Sequence, residues 1–252
     1  MVLLNVNPPP VSENNLNGNV NNQDQLIADL EDFTEEILSM PTNLDSDEPQ
    51  LETDFHREQI DLLIRLLKYF WRDRQDFYIS GNLTVYYNKK QLKSRDFAGP
   101  DVFVVLGAEK RDRRSWMVWD EDGKYPNLVI ELLSNSTAQV DRGKKKQLYQ
   151  DIWRVPNYFW FHPDTLEFAG FHLVDGKYEP IIPDAKGYLW SDQLSLFLGI
   201  HQNQLRYFTA DGAIVPLPEE QERLAKEKAI QRAERLEAML RSQGIDPDQF
   251  SD

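Results

Sequence analysis

The spacing of apolar residues predicts alternating helices and strands between residues 53 and 215. From residue 53 to residue 73 apolar side chains recur every three or four positions, which predicts a helix capped by Thr53 or Asp54. Runs of β-branched and aromatic residues predict strands, and Asp-Gly pairs predict turns. The predicted strands lie at 99–107, 127–133 and 157–163, and the predicted hairpins at 115–125, 167–181 and 205–215. Residues 77–88, with Gly81-Asn82 in the middle, predict either a strand with a bend or a hairpin. This alternation is typical of an α/β domain.

Two further segments carry helical patterns of different character. Behind the third predicted strand, Asn135 to Thr137 can start a helix on which Asp141, Lys145 and Tyr149 stand four residues apart and share one face. The segment Pro218 to Ser242 is strongly helical, but its apolar residues form a seam too narrow for a core-facing helix. Such a seam favours a coiled coil or docking on a partner, so we expect a homo-oligomer formed through this helix.

One residue of the 127–133 strand does not fit its surroundings. Apolar residues occupy successive positions there, which indicates a strand buried on both faces, yet Glu131 stands among them. A buried carboxylate must be protonated, paired or bound to a cation. A second acid, Asp101, opens another apolar run, although a turn residue after Pro100 is the structural alternative. Two carboxylates on neighbouring strands would offer the oxygen ligands that Mg²⁺ favours.

Composition narrows the function classes. The 252 residues include no cysteine, which excludes disulfides, thiolate metal sites and a cysteine nucleophile. The chain has no apolar stretch of about 18 residues and no signal peptide, so we expect a soluble cytoplasmic protein that does not contact a membrane.

The net charge of -14 at first argues against nucleic-acid binding, but the charge is unevenly distributed. Residues 1–50 contain ten acidic residues and no Lys or Arg, and we expect this Asn- and Pro-rich stretch to be a disordered acidic arm. Residues 51–215 are nearly neutral and form the predicted domain, and residues 216–252 form the C-terminal helix, a candidate coiled coil. The basic clusters of the domain lie at 89–95, 110–114 and 142–146, and such runs are usually solvated faces.

Four segments of the domain resemble the motifs of a nuclease family. They are PDVFVV at 100–105, VIELLSNST at 129–137, DRGKKKQLY at 141–149 and YFWFHP at 158–163. Their content and order resemble the Uma-type family of restriction endonucleases, a branch of the PD-(D/E)XK nuclease superfamily. The similarity covers roughly residues 53–215. It implies a restriction-endonuclease-like mixed sheet flanked by helices, with added β-hairpins and a long C-terminal helix.

The resemblance also implies roles for single residues. Asp101 and Glu131 would hold Mg²⁺ or Mn²⁺, and His56 on the first helix resembles a further metal ligand of some superfamily members. Lys145 would act at the attacking water or at the phosphate, and Tyr149 would hold its neighbours in position. A lone histidine on a helix is more often a surface or structural residue.

The position of the lysine departs from the general pattern of the superfamily. That lysine normally stands two residues after the second acid, where this chain has Leu133. In the Uma-type branch the lysine comes from the following helix, which corresponds to Lys145. Lys144 and Lys146 are neighbours that could take the same role.

These features predict a Mg²⁺-dependent endonuclease that hydrolyses DNA phosphodiester bonds. The alternative is a catalytically silent protein that keeps the nuclease fold as a nucleic-acid or protein interaction module. A third reading, a sugar- or lipid-active hydrolase with Asp101 and Glu131 as an acid/base pair, has no other supporting feature. Divalent-metal binding that depends on both acids would discriminate among these readings.

Overall fold

A computed structural model describes residues 25, 27–28, 41, 44–46, 53–88, 99–134 and 137–244. The chain forms two compact units, Met1–Thr42 and Asn43–Asp252, and the eleven strands of the described residues belong to the second unit. The predicted acidic arm therefore lies almost entirely outside the described residues, as does the basic cluster at 89–95. No helix among the described residues is long and apolar enough to cross a membrane.

Three residues of the predicted arm bond to the domain. Ser115 Oγ donates a hydrogen bond to the carbonyl oxygen of Leu44 at 2.6 Å, and the Tyr86 hydroxyl donates to that of Asp45 at 2.9 Å. The hydroxyl of Ser46 accepts from the backbone N–H of Thr84 at 3.0 Å. Contacts with the domain thus begin several residues before the predicted boundary at residue 50.

Helices lie at both ends of the domain and between the two parallel strands of its large sheet. Helix α1 (Asp54–Phe70) is capped by Thr53, whose side chain accepts from the backbone N–H of His56. The next helical segment starts as an α turn at Ala138–Val140 and continues as π helix over Asp141–Lys145 and Leu148–Ile152, and we call the whole segment, residues 138–152, α2. Helix α3 is Pro218–Ser242.

The strands are β1 (Phe77–Ser80), β2 (Val85–Tyr86), β3 (Val102–Leu106), β4 (Trp116–Met117), β5 (Leu128–Leu132), β6 (Asn157–Phe161), β7 (Phe168–Val174), β8 (Lys177–Pro180), β9 (Leu189–Ser191), β10 (Leu196–His201) and β11 (Gln204–Phe208). Six of them form one mixed sheet in the order β1-β3-β5-β6-β7-β8. Strands β5 and β6 are parallel and α2 joins them, whereas the other neighbours in this sheet are antiparallel. Strands β9 to β11 form an antiparallel sheet, and β2 pairs with β4.

The central strands β3, β5 and β6 are buried on both faces. Successive side chains of a strand point to opposite sides of the sheet. Ile130 and Leu132 pack toward α1 and the three-stranded sheet, whereas Val129 and Leu133 pack toward α2. The continuous apolar run of β5 reflects this double burial. The predicted α/β class, with a mixed sheet flanked by helices, added hairpins and a long C-terminal helix, is confirmed.

Two of the predicted hairpins differ from the structure. The one at 115–125 is wrong, because β4 pairs in parallel with β2 and a 3₁₀ turn at Val118–Asp120 follows it. The backbone N–H of Trp116 donates to the carbonyl oxygen of Thr84, and its indole N–H donates to that of Lys124. The pair predicted at 205–215 consists of β11 and a single bridge. The hairpin β7–β8 forms with its turn at Asp175-Gly176, as predicted.

Helix α3 is attached to the domain through its first turn. Arg65 pairs with Glu219 at 2.7 Å, and Arg206 pairs with Glu220 at 2.8 Å. No residue of α3 is buried. The helix therefore leaves the domain as an exposed element, as its narrow apolar seam predicts.

Candidate active site

Asp101 and Glu131 lie opposite each other on one face of the sheet. The register of β3 and β5 pairs Val102 with Ile130, so the next residues of the two strands, Asp101 and Glu131, are also opposed. Opposed residues of antiparallel strands point to the same face. Glu131 is completely buried, and Asp101 is half-buried. The sheet therefore brings the two predicted acids together on its α2 side.

The Asp101 carboxylate is fixed by the peptide group of Leu132. This residue lies past the last β3–β5 pair, so its backbone N–H and carbonyl have no strand partner on that side. Asp101 Oδ2 accepts a hydrogen bond from Leu132 N at 2.7 Å, and His56 Nε2 donates to Leu132 O at 3.1 Å. Two side chains thus replace the missing strand.

His56 is held on both of its ring nitrogens. Nδ1 lies 2.8 Å from the hydroxyl oxygen of Thr53, while Nε2 donates to Leu132 O. An imidazole whose two nitrogens both have protein partners is a structural bridge between α1 and β5 rather than an open metal ligand. The sequence did not reveal this role, because Leu132 takes part only through its backbone.

Gly81 allows the approach of the backbone at Asp101. A Cβ at Gly81 would lie 2.4 Å from the carbonyl oxygen of Asp101 and 2.5 Å from Ile60 Cγ2 of α1. These distances are shorter than real Cβ contacts. Any residue with a side chain at position 81 would therefore displace one of the two neighbours. The neighbouring Asn82 N–H donates to the same carbonyl oxygen at 3.2 Å. The turn after β1 therefore holds the backbone of Asp101 in position through its carbonyl oxygen.

Helix α2 supplies the partners of Glu131. Lys145 Nζ donates to Glu131 Oε2 at 3.0 Å and lies 3.0 Å from Asp141 Oδ1, and the Tyr149 hydroxyl donates to Glu131 Oε1 at 2.6 Å. The predicted row of acid, amine and phenol thus faces the strand, although this segment winds as π helix instead of the expected α-helix. Asp141 is buried, and its spacing of four from Lys145 was the signal in the sequence.

Among the three consecutive lysines, Lys145 is the one that reaches the acids. Lys146 Nζ lies 3.4 Å from the centre of the Phe171 ring and 5.3 Å from that of Trp160, as a cation over aromatic faces. Lys144 is exposed on the outer side of α2. The geometry therefore separates three residues that the sequence alone could not rank.

Burial controls protonation in this cluster. It raises the pKa of Asp101 and raises that of Glu131 well above its ordinary range, while the Lys145 ammonium acts in the opposite direction on both. Burial alone would lower the pKa of Lys145, but the charges of Glu131 and Asp141 outweigh it and hold that pKa above its ordinary value. Lys145 is thus a fixed cation, and the two strand acids compete for protons.

The donor set fits a divalent cation held by two carboxylates. The described residues contain no group of three or more His, Asp or Glu side chains that could hold a metal, so His56 does not join the two strand acids. When ionised, Asp101, Glu131 and Asp141 carry three negative charges against the single charge of Lys145. The two excess negative charges match the charge of a divalent cation. Mg²⁺ typically takes one or two carboxylates and keeps several waters.

Comparison with known proteins gives similarities to a protein family, to a curated protein and to a solved structure. Residues 45–223 match the model of the Uma2 family, described as "Putative restriction endonuclease". An uncharacterized protein of Synechocystis, slr1290, is 32% identical over 84 residues, which cover 33% of this chain and 41% of that protein. A crystal structure described as a "putative nuclease belonging to DUF820", from Anabaena variabilis, aligns with 58% of this chain and 76% of its own at 12% identity, with a TM-score of 0.42. The chain thus matches less than half the length of the curated relative.

Proposed function

Because this chain belongs to the Uma2 family of restriction endonuclease-like proteins, we propose that it is a Mg²⁺-dependent endonuclease that hydrolyses DNA phosphodiester bonds. One observation carries the proposal. The Lys145 ammonium bonds to a carboxylate that is completely buried, while about a quarter of the lysine side chain, 26%, stays exposed. The Lys145 side chain is therefore partly open to an incoming phosphate, beside two acids that would hold the metal.

Asp101 and Glu131 would hold the metal ion. Their half-buried and buried positions exclude most water, which strengthens electrostatic interactions at the site. Bound Mg²⁺ supplies Lewis-acid chemistry at the phosphate. The Leu132 N–H keeps the Asp101 carboxylate in one orientation, and the Tyr149 hydroxyl does the same for Glu131.

Lys145 would stabilise charge rather than transfer protons. Its raised pKa keeps the amine protonated, so it cannot take a proton from water as a general base. In hydrolysis a water oxygen forms a bond to phosphorus and gives up a proton to solvent, one phosphorus–oxygen ester bond breaks, and the leaving oxygen takes up a proton and departs as an alcohol. Negative charge grows on the phosphate oxygens between these events. A fixed ammonium beside that phosphate stabilises the growing charge.

Nicking of supercoiled DNA tests the proposal, at low salt because a nearly neutral domain binds polyanions weakly. The wild-type chain should nick the plasmid only with Mg²⁺ or Mn²⁺ present. Lys145→Ala should lower the rate by about 10²-fold or more, the size expected when a group that stabilises the transition state is removed. Lys144→Ala, which alters an exposed neighbour in the same helix, should keep the wild-type rate.

Metal binding by isothermal titration separates the roles. Glu131→Gln should lose Mg²⁺ binding, whereas Lys145→Ala should keep it at a pH high enough to ionise Glu131, because the lysine acts at the phosphate. Circular dichroism of each variant verifies that the fold is intact. Cleavage that survives Lys145→Ala but is lost in Lys144→Ala or Lys146→Ala would move the catalytic role to another lysine.

The alternative, a catalytically silent interaction module with this fold, is favoured by one observation. Both carboxylate oxygens of Glu131 already accept hydrogen bonds, from Tyr149 and from Lys145, so the cluster is partly closed on itself. A carboxylate has lone pairs left for a metal even then. Metal binding without any cleavage of DNA or RNA by the wild-type chain would favour this alternative.

Self-association through α3 is the second part of the proposal. Large apolar side chains of α3 are about half exposed, among them Leu224, Leu236 and Met239. Ending the chain after residue 222 keeps the ion pairs that attach the helix and removes this surface. Sedimentation should show a dimer for the full chain and a monomer for the shortened one, and equal masses would exclude the role.

A further inference from the structure

Strand β1 is an open edge of the six-stranded sheet. It pairs with β3 on one side, and among the described residues no strand pairs with its other side. A groove of about 320 Å³ lies there, lined by Phe77, Tyr78 and Ile79 of the strand. The other lining residues are Lys68 of α1 and Lys110, Arg111 and Asp112 of the loop after β3. Asp101 lies at the opposite end of β3, so this groove is separate from the acid cluster.

The ladder with β3 determines which backbone groups face the groove. The Gly107 N–H donates to Asp76 O, and the Asn82 N–H donates to Asp101 O, so even-numbered residues of this segment bond toward β3. In an antiparallel ladder the residues between them point their N–H and carbonyl groups away from the partner. Phe77 and Ile79 therefore present two donors and two acceptors, in alternation, to the groove.

Two lysines near this edge have no carboxylate partner among the described residues. Lys68 and Lys110 are exposed, and neither forms an ion pair with another described residue. The Lys110 ammonium lies 5.7 Å from the Phe77 ring, whose side chain packs toward α1, so both lysines lie on the α1 side of the edge. Arg111, by contrast, already pairs with Glu121 at 2.7 Å.

We propose that the β1 edge binds an extended peptide segment of a partner protein, one that carries carboxylates on alternate residues and adds a strand to the sheet. Alternate residues of an added strand face the same side, so its carboxylates would meet Lys68 and Lys110. Its backbone would pair with the outward N–H and carbonyl groups of Phe77 and Ile79. Main-chain bonds provide the affinity in this mode, and the charged side chains provide the specificity.

A peptide fits this edge better than the other polyanions or a second copy of the chain. The phosphate groups of a nucleic acid only accept hydrogen bonds, so they could pair with the N–H groups of Phe77 and Ile79 but not with the carbonyl groups, whereas a peptide backbone pairs with both. A second copy joined through the same edge would bring its own Lys68 and Lys110 against those of the first. Repulsion between these like charges would disfavour the dimer.

Amide hydrogen exchange on the full chain, followed by NMR, tests the proposal. The probe is a capped synthetic peptide that alternates Glu and Val over about six residues, a typical strand length. Addition of this peptide should slow exchange at the amides of Phe77 and Ile79. The same peptide with N-methyl groups on the edge-facing amides keeps its charge and should bind about tenfold more weakly, since it loses backbone hydrogen bonds.

Charge variants provide the second measurement. Lys68→Glu and Lys110→Glu should each weaken binding of the Glu-Val peptide by several-fold, and Lys228→Glu, an exposed control on α3, should not. Equal binding of the methylated peptide, or no slowing of exchange at Phe77 and Ile79, would overturn the proposal. A single-stranded oligonucleotide that protects the same amides at lower concentration would also overturn it and mark the edge as a polyanion site.

Discussion

Replacing Lys145 by methionine keeps the length of the side chain and removes the charge that holds the acid cluster together. The ammonium lies 3.0 Å from Glu131 Oε2 and 3.0 Å from Asp141 Oδ1, and the side chains of these two acids are at most 2% exposed. Loss of one partner leaves buried carboxylates without compensation, which costs about 3–5 kcal/mol in buried pairs. Stability should therefore fall.

Protonation of Glu131 sets a ceiling on this cost. Without the ammonium the side chain can take up a proton, which at pH 7 costs about 1.4 kcal/mol for each pH unit above the ordinary glutamate pKa of about 4.3. Glu131 can therefore contribute at most about 4 kcal/mol to the loss in unfolding free energy at pH 7. Burial already raises the pKa of Glu131 in the wild-type protein, so part of this cost is present before the substitution. We expect a loss of about 2–4 kcal/mol in unfolding free energy at pH 7.

The loss should grow with pH. Because the pKa of Glu131 is raised in the folded protein, its ionisation costs stability as pH rises from the unfolded pKa toward the folded one. The charge of Lys145 lowers that folded pKa, so Lys145→Met raises it further. Below the wild-type folded pKa both proteins carry the proton and Glu131 adds no difference. Above it the deficit grows by up to about 1.4 kcal/mol per pH unit.

Urea unfolding followed by tryptophan fluorescence at about pH 5 and about pH 8.5 measures this difference, since Lys145 itself stays charged across this range. Lys144→Met is the matched control, because it removes an exposed charge from the adjacent position of α2. A deficit that is equal at both pH values would refute the idea that Glu131 ionises in the wild-type protein within this range and that its protonation limits the loss. A wild-type stability for Lys145→Met at high pH would refute the buried ion pair itself.

Two other substitutions test the positions of the acids. Tyr149→Phe should cost about 1–3 kcal/mol in urea unfolding, because the buried Glu131 Oε1 loses the hydroxyl that donates to it at 2.6 Å; an unchanged midpoint would contradict this. Gly81→Ala should destabilise by about 1–3 kcal/mol and weaken Mg²⁺ binding in calorimetry, because its Cβ would lie 2.4 Å from the Asp101 carbonyl oxygen. Gly143→Ala, where a Cβ meets nothing within 4 Å, should be neutral or stabilise by up to about 1 kcal/mol, and equal effects at both glycines would refute the close approach.

Local patterns determined the elements and the chemical character of the site. The apolar spacing after Thr53 and its cap predicted α1, and the long helical pattern predicted α3 from Pro218 to Ser242. A carboxylate within an apolar run marked Glu131 as buried, and the spacing of four marked Lys145 and Tyr149 as its partners on one helix face. Such signals survive in a sequence because burial and helical periodicity act over a few neighbouring residues.

Only the tertiary structure decided which distant groups meet. His56 and Leu132 are 76 residues apart in the sequence. The acceptor of their hydrogen bond is a backbone carbonyl, which every residue has, so no side-chain pattern predicts this bond. The parallel pairing of β4 with β2 and the unpredicted strands β9 and β10 also depend on long-range register. Likewise, the directions of three consecutive lysines follow from how α2 packs on β5, which places Lys145 on Glu131 and Lys146 over Phe171. Strand pairing and register depend on packing contacts between segments that are distant in sequence, and a local sequence pattern does not reveal those contacts.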